Sequence, residues 1–222
     1  MALRTAEPTT DGLTAGRSGD LRLDRGPQAP LPAPEQPHWD AVCQVIRRRR
    51  SNLRVDPERA VPRELLDELI ELACWAPNHK HTHPWRFAIV TGTARARLGA
   101  LAAQALQSLG ITQPAALEKA RQKYLRAPVI LVVGSVAHPV PYLHRENRDA
   151  VAAGVQNLLL AATARGLASF WSTGAPAEDA AVKAFAGLEA QDEIVALIYL
   201  GWPVEEAPAA PRAAPVVSAI DS

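Results

Sequence analysis

The stretch that most limits the fold of this chain is residues 128–134, which read Pro-Val-Ile-Leu-Val-Val-Gly. No charged or amide side chain interrupts it. A continuous apolar run of this length is typical of a strand buried on both faces, whereas a strand with one wet face alternates apolar and polar residues. The run therefore predicts a strand inside the hydrophobic core.

Further strands and a series of helices are predicted around this strand. Trp85, Phe87 and Ile89 alternate with other residues and are followed by Thr91-Gly92, which is typical of a strand that ends in a turn. Residues 39–50 instead place apolar side chains at helical spacing. The remaining patterns predict helices over residues 62–76, 95–109, 114–124, 147–165 and 178–185, and strands over residues 167–172 and 194–200.

Composition is that of an ordinary globular protein. The 222 residues suffice for one well-packed domain, and 48% hydrophobic and 21% charged residues are close to globular averages. The 24 Lys and Arg residues nearly balance 23 Asp and Glu residues, so no chain-wide charge favours nucleic acid or anionic lipid. No apolar segment approaches the roughly 18 residues of a spanning helix. We therefore expect neither a nucleic-acid nor a membrane partner.

The chain divides into three predicted segments. Residues 1–37 are rich in proline and lack apolar periodicity, which predicts a disordered arm. Residues 38–204 carry the core patterns, and residues 205–222 form a Pro- and Ala-rich C-terminal extension. The N-terminus lacks the apolar segment of a secretory signal. Cys43 and Cys74 lie in apolar stretches without metal-ligand spacing, which predicts buried, reduced thiols and a cytoplasmic location.

The first candidate for chemistry is Arg49-Arg50-Ser51, where a predicted helix gives way to a loop. Two planar guanidinium groups and a hydroxyl are well suited to hold a phosphate dianion. A solvated basic helix end is the alternative, because surface arginine runs are common. A nucleic-acid interface is less favoured, because four consecutive helical residues point to different sides and no aromatic cluster extends the patch.

The second candidate is the polar loop of residues 76–85, with histidines at positions 79, 81 and 83. Imidazole binds zinc, copper and nickel, so a metal site is one hypothesis. Against it, the loop itself contains no cysteine and Lys80 opposes a cation. Hydrogen bonding to a small planar ligand suits such a loop better.

The third candidate is the segment of residues 166–174, where a predicted strand ends in hydroxyl side chains and Gly174. Such a turn can direct backbone N–H groups at a ligand edge. An ordinary Ser/Thr/Gly turn is the alternative.

Together, and in this order, the three segments resemble the flavin-dependent nitroreductases. Arg49-Arg50-Ser51 is similar to the phosphate-binding Arg-Arg-Ser of that family, and residues 76–85 are similar to its Ala-Pro…Gln-Pro-Trp loop. The minimal, YdjA-like NAD(P)H nitroreductase subgroup is the most similar, with Ala-Pro-Asp-His-Lys against residues 76–80 and Trp-x-Ser-Gly against residues 171–174. The resemblance covers about residues 39–203.

The resemblance implies an α+β, nitroreductase-like fold: a mixed, mainly antiparallel sheet flanked by helices, in a homodimer with FMN at the subunit boundary. The extension of residues 205–222 is then expected to pack on the partner subunit. NAD(P)H is the implied co-substrate, and the implied reaction is ping-pong hydride transfer to a small-molecule acceptor such as a nitroaromatic or a quinone. The cofactor carries this chemistry, so no catalytic protein residue is predicted.

The resemblance also assigns residues to the flavin. Arg49, Arg50 and Ser51 are expected at its phosphate end. Arg54 is a candidate cation near the ring, and Arg212 a candidate second phosphate ligand. The other implied contacts are His79 and Trp75 from the partner subunit, and Trp171, Ser172 and Thr173 along the isoalloxazine.

The loop departs from the family pattern at two positions that would face the pyrimidine edge of the flavin, and two other functions also stay open. His83 stands in place of the usual Gln, and His81 in place of Asn or Ser. A flavin-binding protein without NAD(P)H turnover is one alternative. An enzyme of the same fold with other chemistry, such as dehalogenation or flavin fragmentation, is the other.

Overall fold

The computed structural model describes residues 36–220, with side chains from His38 onward. Residues 1–35, which hold most of the predicted disordered arm, lie outside this part of the chain. The first described element is helix α1 (Gln36–Arg48), so the last two residues of the predicted arm belong to a helix.

The sheet has four strands, and it confirms all four predicted strands. They are β1 (Trp85–Val90), β2 (Val129–Ser135), β3 (Ala168–Ser172) and β4 (Glu193–Gly201), in the spatial order β1-β2-β4-β3. Each neighbouring pair is antiparallel. Every residue of β2 is buried, as its apolar run predicts. Among the described residues, the one parallel pairing is the isolated bridge between Ser51 and Ser169.

Helices surround the sheet in the predicted order. After α1 come α2 (Arg63–Ala73), α3 (Ala94–Ser108), α4 (Pro114–Gln122), α5 (Pro141–Ala164), α6 (Ala175–Glu178) and α7 (Ala180–Phe185). Two short 3₁₀ helices, His79–His81 and Lys123–Arg126, lie in the connections.

Two predicted helices have different bounds in the structure. The predicted helix of residues 147–165 begins six residues earlier, at Pro141, since proline is favoured in a first helical turn. Leu143 is the one buried residue of this added segment, so apolar spacing did not reveal it. The predicted helix of residues 178–185 is divided at Asp179. Its backbone is extended, and its carboxylate accepts hydrogen bonds from Ala181 N and Val182 N, which makes it the N-cap of α7.

The sheet separates two hydrophobic clusters, and β2 contributes to both. Val129, Leu131 and Val133 face the cluster that contains the apolar sides of α2 and α5. Ile130 and Val132 face the cluster built around α3 and the second 3₁₀ helix. This alternation has the period of two that a strand requires. Helices on both faces of an antiparallel sheet confirm the α+β class.

Helices α2 and α5 approach each other closely at Gly154. A Cβ atom built on Gly154 would lie 2.6 Å from the carbonyl oxygen of Ala73 and 3.0 Å from Nε1 of Trp85. Even alanine at this position would therefore force the two helices apart. The small residues predicted along α5 thus serve close packing.

One side of α1 is not covered by the described chain. Trp39 is 69% exposed, Val42 53% and Ile46 50%, although these residues form the apolar stripe of the helix. The prediction of two buried thiols is wrong. Cys43 lies on α1 and is half-buried, and Cys74, one residue after α2, is exposed; both are free. Within residues 36–220, no helix combines the length and apolar character needed to cross a bilayer.

Candidate functional site

The segment Arg49-Arg50-Ser51 leaves α1 and runs along the outer edge of the sheet. Ser51 forms the parallel bridge with Ser169 of β3, and Asn52 N donates to Ser169 O at 2.9 Å. Because β3 is an edge strand, this pairing covers part of a free edge. The predicted phosphate-binding residues are therefore held beside the strand that ends in Trp171 and Ser172.

Arg49 lies among other guanidinium groups. Partial burial lowers the pKa of Arg49, and the positive charges of Arg212 and Arg50 lower it further. Within the described part of the chain, no carboxylate lies within ion-pair distance of Arg49. A half-buried cation beside two others is unfavourable unless an anion joins them. This electrostatic arrangement fits a phosphate.

Arg50 supplies a buried donor with no partner. Its Nη1 donates to the carbonyl oxygens of Arg47, at 2.5 Å, and Arg49, at 2.9 Å. Its Nε is buried and has no hydrogen-bond partner among residues 36–220. An unsatisfied buried N–H is costly, and an oxyanion is its natural partner. The residues at the end of α1 therefore fit the phosphate of a flavin mononucleotide.

The predicted ring-binding residues lie farther along β3. Trp171 is half-buried, and its Nε1 donates to Val195 O at 3.2 Å. Ser172 ends the strand, and exposed Thr173 leads to Gly174, whose φ of 117° belongs to the region that glycine adopts readily. Thr173 is four residues beyond Ser169, or roughly 13 Å along a strand. The structure thus brings both groups to one edge of the sheet.

Two residues near this edge were missed by the sequence analysis. Asn52 is buried, its Nδ2 donates to Glu205 O at 2.8 Å, and its Oδ1 accepts from Arg54 N at 2.8 Å. Ser169 is buried, and its hydroxyl has no partner among the described residues. Asn52 was detectable only as the residue after the motif serine, since its partner Glu205 is 153 positions away.

The two arginines considered beside the main motif have different surroundings. Arg54 forms an exposed ion pair with Glu205, so its charge is already balanced within the chain. Arg212 is close enough to Arg49 to lower its pKa. Of the two, Arg212 is the one that adds to the unbalanced positive charge.

The histidine loop has an unusual backbone. Lys80, His81 and His83 have φ values of 60°, 48° and 49°, which non-glycine residues adopt rarely. Such conformations persist where the surroundings enforce them, and they are concentrated at functional sites. The loop is therefore held in one backbone conformation, at a cost in conformational energy.

A chain of side-chain hydrogen bonds enforces that shape. Asn78 Oδ1 accepts from His83 N at 2.9 Å, and Asn78 Nδ2 donates to Thr82 Oγ1 at 3.0 Å. The Thr82 hydroxyl donates to Asn147 Oδ1 at 2.5 Å, and Asn147 Nδ2 donates to Val136 O at 3.2 Å. Asn147 is buried on α5. The loop is thus anchored to the core.

The two predicted site residues in this region are at the surface. His79 Nδ1 lies 2.6 Å from Glu146 Oε2, with both side chains about half exposed. Trp75 is 57% exposed, and its Nε1 donates to Glu71 Oε1 at 2.8 Å. Across the described residues, no three His, Cys, Asp or Glu side chains are grouped to hold a metal ion.

The structure does not bring Trp75 and His79 to the other site residues of the same chain. Their loop leads into β1, at the opposite edge of the sheet from β3. Three strand spacings amount to about 14 Å. Strand pairing places Trp85 opposite Ser135, which in turn lies opposite Glu193 of β4, whereas Ser172 lies opposite Leu197 of β4. Glu193 and Leu197 are four residues apart, which adds a separation of roughly 13 Å along the strands. The start of β1, into which this loop leads, is therefore about 20 Å from the end of β3.

An antiparallel sheet between helical layers, with an arginine cluster beside one edge strand, is the arrangement that the resemblance to the flavin-dependent nitroreductases implies. The family model described as "Nitroreductase family" matches residues 46–202. The chain belongs to the nitroreductase family, as its sequence motifs predicted.

Individual relatives agree with this membership. YdjA of Escherichia coli (strain K12), whose name proposes an NAD(P)H nitroreductase, is 33% identical over 167 residues, which cover 74% of this chain and 88% of YdjA. A nitroreductase-like protein from Bacillus cereus has a similar structure, with a TM-score of 0.69, 28% identity, and coverage of 78% of this chain and 91% of that one. A proposed nitroreductase from Desulfovibrio desulfuricans, solved in complex with FMN, has a TM-score of 0.59 and 27% identity, with coverage of 78% and 91%.

Proposed function

We propose that the protein is an FMN-dependent NAD(P)H oxidoreductase that reduces nitroaromatic, quinone or similar electron-poor acceptors. The observation that supports this best is the group of guanidiniums at the end of α1: Arg49 beside Arg50 and Arg212, without a carboxylate within ion-pair distance of Arg49 in the described chain. YdjA, which is named as an NAD(P)H nitroreductase, is similar to this chain in sequence, and the FMN-bound neighbour is similar to it in structure.

In this proposal, one chain holds the flavin along the β3 edge. Arg49 and the buried Nε of Arg50 bind the phosphate, with Ser51 as a hydroxyl donor and Arg212 as a further cation. Trp171, Ser172 and Thr173 line the ring, and the Trp171 indole is fixed by its bond to Val195 O. When bound, FMN supplies hydride transfer between a nicotinamide and an acceptor.

We further propose that the active form is a homodimer and that the partner subunit supplies Trp75 and His79 to each flavin. Within one chain the loop that carries these residues leads into the start of β1, about 20 Å from the end of β3, which is too far for the two to share a ring-sized ligand. The exposed apolar stripe of α1 needs a cover, since contiguous exposed apolar surface marks interaction sites. Val216, Val217 and Ile220 of the C-terminal extension are also exposed and can pack on a second copy.

The loop residues act by position in this scheme. Because the Asn78–Thr82–Asn147 hydrogen bonds fix the loop, His79 is presented in one orientation, with Glu146 as its hydrogen-bond partner. Trp75 adds a large apolar face that excludes water from a neighbouring ring. The two free thiols agree with the predicted cytoplasmic location.

Purification of the full chain followed by visible spectroscopy tests the proposal. We expect a yellow protein whose released cofactor is FMN and whose absorption bleaches when NADH or NADPH is added without oxygen. Addition of a quinone or a nitroaromatic should then restore the colour. A colourless protein that takes up no FMN contradicts cofactor and activity together. A yellow protein that neither nucleotide bleaches contradicts the oxidoreductase activity alone.

A further inference from the structure

A second basic site lies beside the proposed phosphate residues. It is a surface cleft of about 340 Å³ between the end of α1, the end of α5, the start of β3 and the segment after β4. The side chains that matter here are Arg47, Arg48, Arg50, Thr163 and Glu206. Arg50 borders both the cleft and the group around Arg49.

The cleft carries an excess of positive charge. Three guanidinium groups line it, and Glu206 is the single carboxylate among its lining residues. Arg47 and Arg48 are exposed, and neither forms an ion pair within the described residues. An anion with more than one negative charge is therefore the ligand that this cleft favours.

Stabilisation of the α1 C-terminus does not account for Arg47 and Arg48. Cations near a helix C-terminus usually interact with its free carbonyl groups. Here Arg50 performs that role, because its Nη1 donates to Arg47 O and Arg49 O. Among residues 36–220, no carboxylate pairs with the guanidinium groups of Arg47 and Arg48, so this part of the chain leaves them available to a ligand.

The position of the cleft identifies the kind of anion. Ala168 lines it, three residues before Trp171 on β3, so the cleft lies roughly 10 Å from the proposed ring end and beyond the phosphate end. A dinucleotide whose nicotinamide lies against the flavin ring at this end of β3 extends over such a distance. No aromatic residue lines the cleft, so it lacks the stacking platform of a nucleic-acid groove.

We propose that this cleft binds the 2′-phosphate of NADPH and that Arg47 and Arg48 make the protein select NADPH over NADH. The inference rests on the proposed function, because it concerns the nucleotide that reduces the flavin. The guanidinium forks of the two arginines match a phosphate monoester, which NADH lacks. Glu206 opposes the anion and limits its affinity.

The test uses the flavin-loaded protein and two probes, 2′,5′-ADP and 5′-AMP, by isothermal titration calorimetry. We expect 2′,5′-ADP to bind at least about tenfold more tightly than 5′-AMP does, and we expect its affinity to fall as the salt concentration rises. Arg47→Ala/Arg48→Ala should remove the difference, and Glu206→Gln should increase it. Arg121→Ala, a surface arginine on α4 paired with Glu118, is the control and should change neither value.

Kinetics supply the second readout. The double variant should have a kcat/KM for NADPH that is lower by about tenfold or more. Its kcat/KM for NADH and its flavin content should be unchanged. Equal binding of the two probes by the unmodified protein overturns the inference, and so does an equal loss for NADPH and NADH. Loss of FMN from the double variant also overturns it, because the arginines would then serve the flavin phosphate. If no flavin binds, the proposed function fails, and titration of the flavin-free protein still tests the cleft.

Discussion

The two edges of the sheet differ in how completely their polar groups are satisfied. At the β3 edge, Arg49 meets other guanidiniums, and Arg50 Nε is buried without a partner in the described chain. At the β1 edge, the loop groups bond to one another: Asn78 to Thr82, Thr82 to Asn147, and His79 to Glu146. The first region needs an anion to balance its charge, whereas the polar groups of the loop in the second are paired and its side chains face outward. At this second edge, Trp85 keeps a buried Nε1 without a partner among the described residues. This difference supports a site that one chain begins and a second chain finishes.

The largest expected effect comes from placing a charge on the side of α1 that residues 36–220 leave exposed. Ile46→Glu or Trp39→Lys should convert the proposed dimer to monomers, because a charge in an apolar interface is strongly unfavourable. Both flavin sites should be lost with it. Light scattering with flavin absorbance measures the two properties together. A variant that stays dimeric and yellow would show that this stripe is not the interface, and Gln44→Glu, also exposed on α1, controls for added charge.

Removal of one guanidinium should have the next largest effect. A charge-assisted hydrogen bond contributes about 1.5–3 kcal/mol, and about 1.4 kcal/mol corresponds to a factor of ten. Arg49→Ala should therefore weaken FMN binding by about one to two powers of ten. Equilibrium dialysis measures this change. Arg54→Ala is the matched control, since its ion pair with Glu205 leaves it outside the unbalanced cluster; equal losses in both variants would refute the distinction.

Loosening of the histidine loop should have a smaller effect than the loss of a phosphate-binding guanidinium. Asn147→Ala removes the acceptor of the Thr82 hydroxyl and the donor to Val136 O. Loss of these buried bonds should lower the free energy of unfolding by about 1–3 kcal/mol and reduce turnover more than FMN affinity. Chemical denaturation and steady-state kinetics check the two parts. If turnover is unchanged, the loop shape does not matter for the site, and Gln156→Ala, at an exposed position of the same helix, controls for helix effects.

The smallest expected effect concerns residues 1–35. Their sequence has no core pattern and precedes the region matched by the family model. Deletion should leave the Tm and kcat nearly unchanged. A large fall in either quantity would show that this segment contributes to the dimer or to the site.

The sequence predicted the parts of the fold that depend on local pattern. The unbroken apolar run of β2 and the alternation at Trp85, Phe87 and Ile89 each identify a strand without reference to distant residues. The start of α5 was misplaced because residues 141–146 carry a single buried apolar side chain, that of Leu143, which is too little to show helical spacing. Asp179 divides a predicted helix through a cap that apolar spacing does not reveal.

The candidate site was predictable only in part, because some of its contacts join residues that are far apart in the sequence. The arginines of the motif are adjacent in sequence, so their shared chemistry is visible there. Asn52 bonds to Glu205, and Thr82 to Asn147, across 153 and 65 positions. Such contacts arise from the fold, and no local pattern indicates them. The positions of Trp75 and His79 at the other sheet edge likewise follow from the strand order.

The central claim is that each flavin site contains residues of two chains, and subunit complementation tests it most directly. Two variants that are each expected to be inactive, Arg49→Ala and His79→Ala, are mixed under refolding conditions. The mixture is then assayed for NAD(P)H-dependent reduction of an acceptor. If sites are shared, every heterodimer contains one site without either substitution, and activity returns to the mixture although neither variant has it alone. If each site lies within one chain, both sites of the heterodimer are damaged, and the mixture remains as inactive as its components, which would contradict the account.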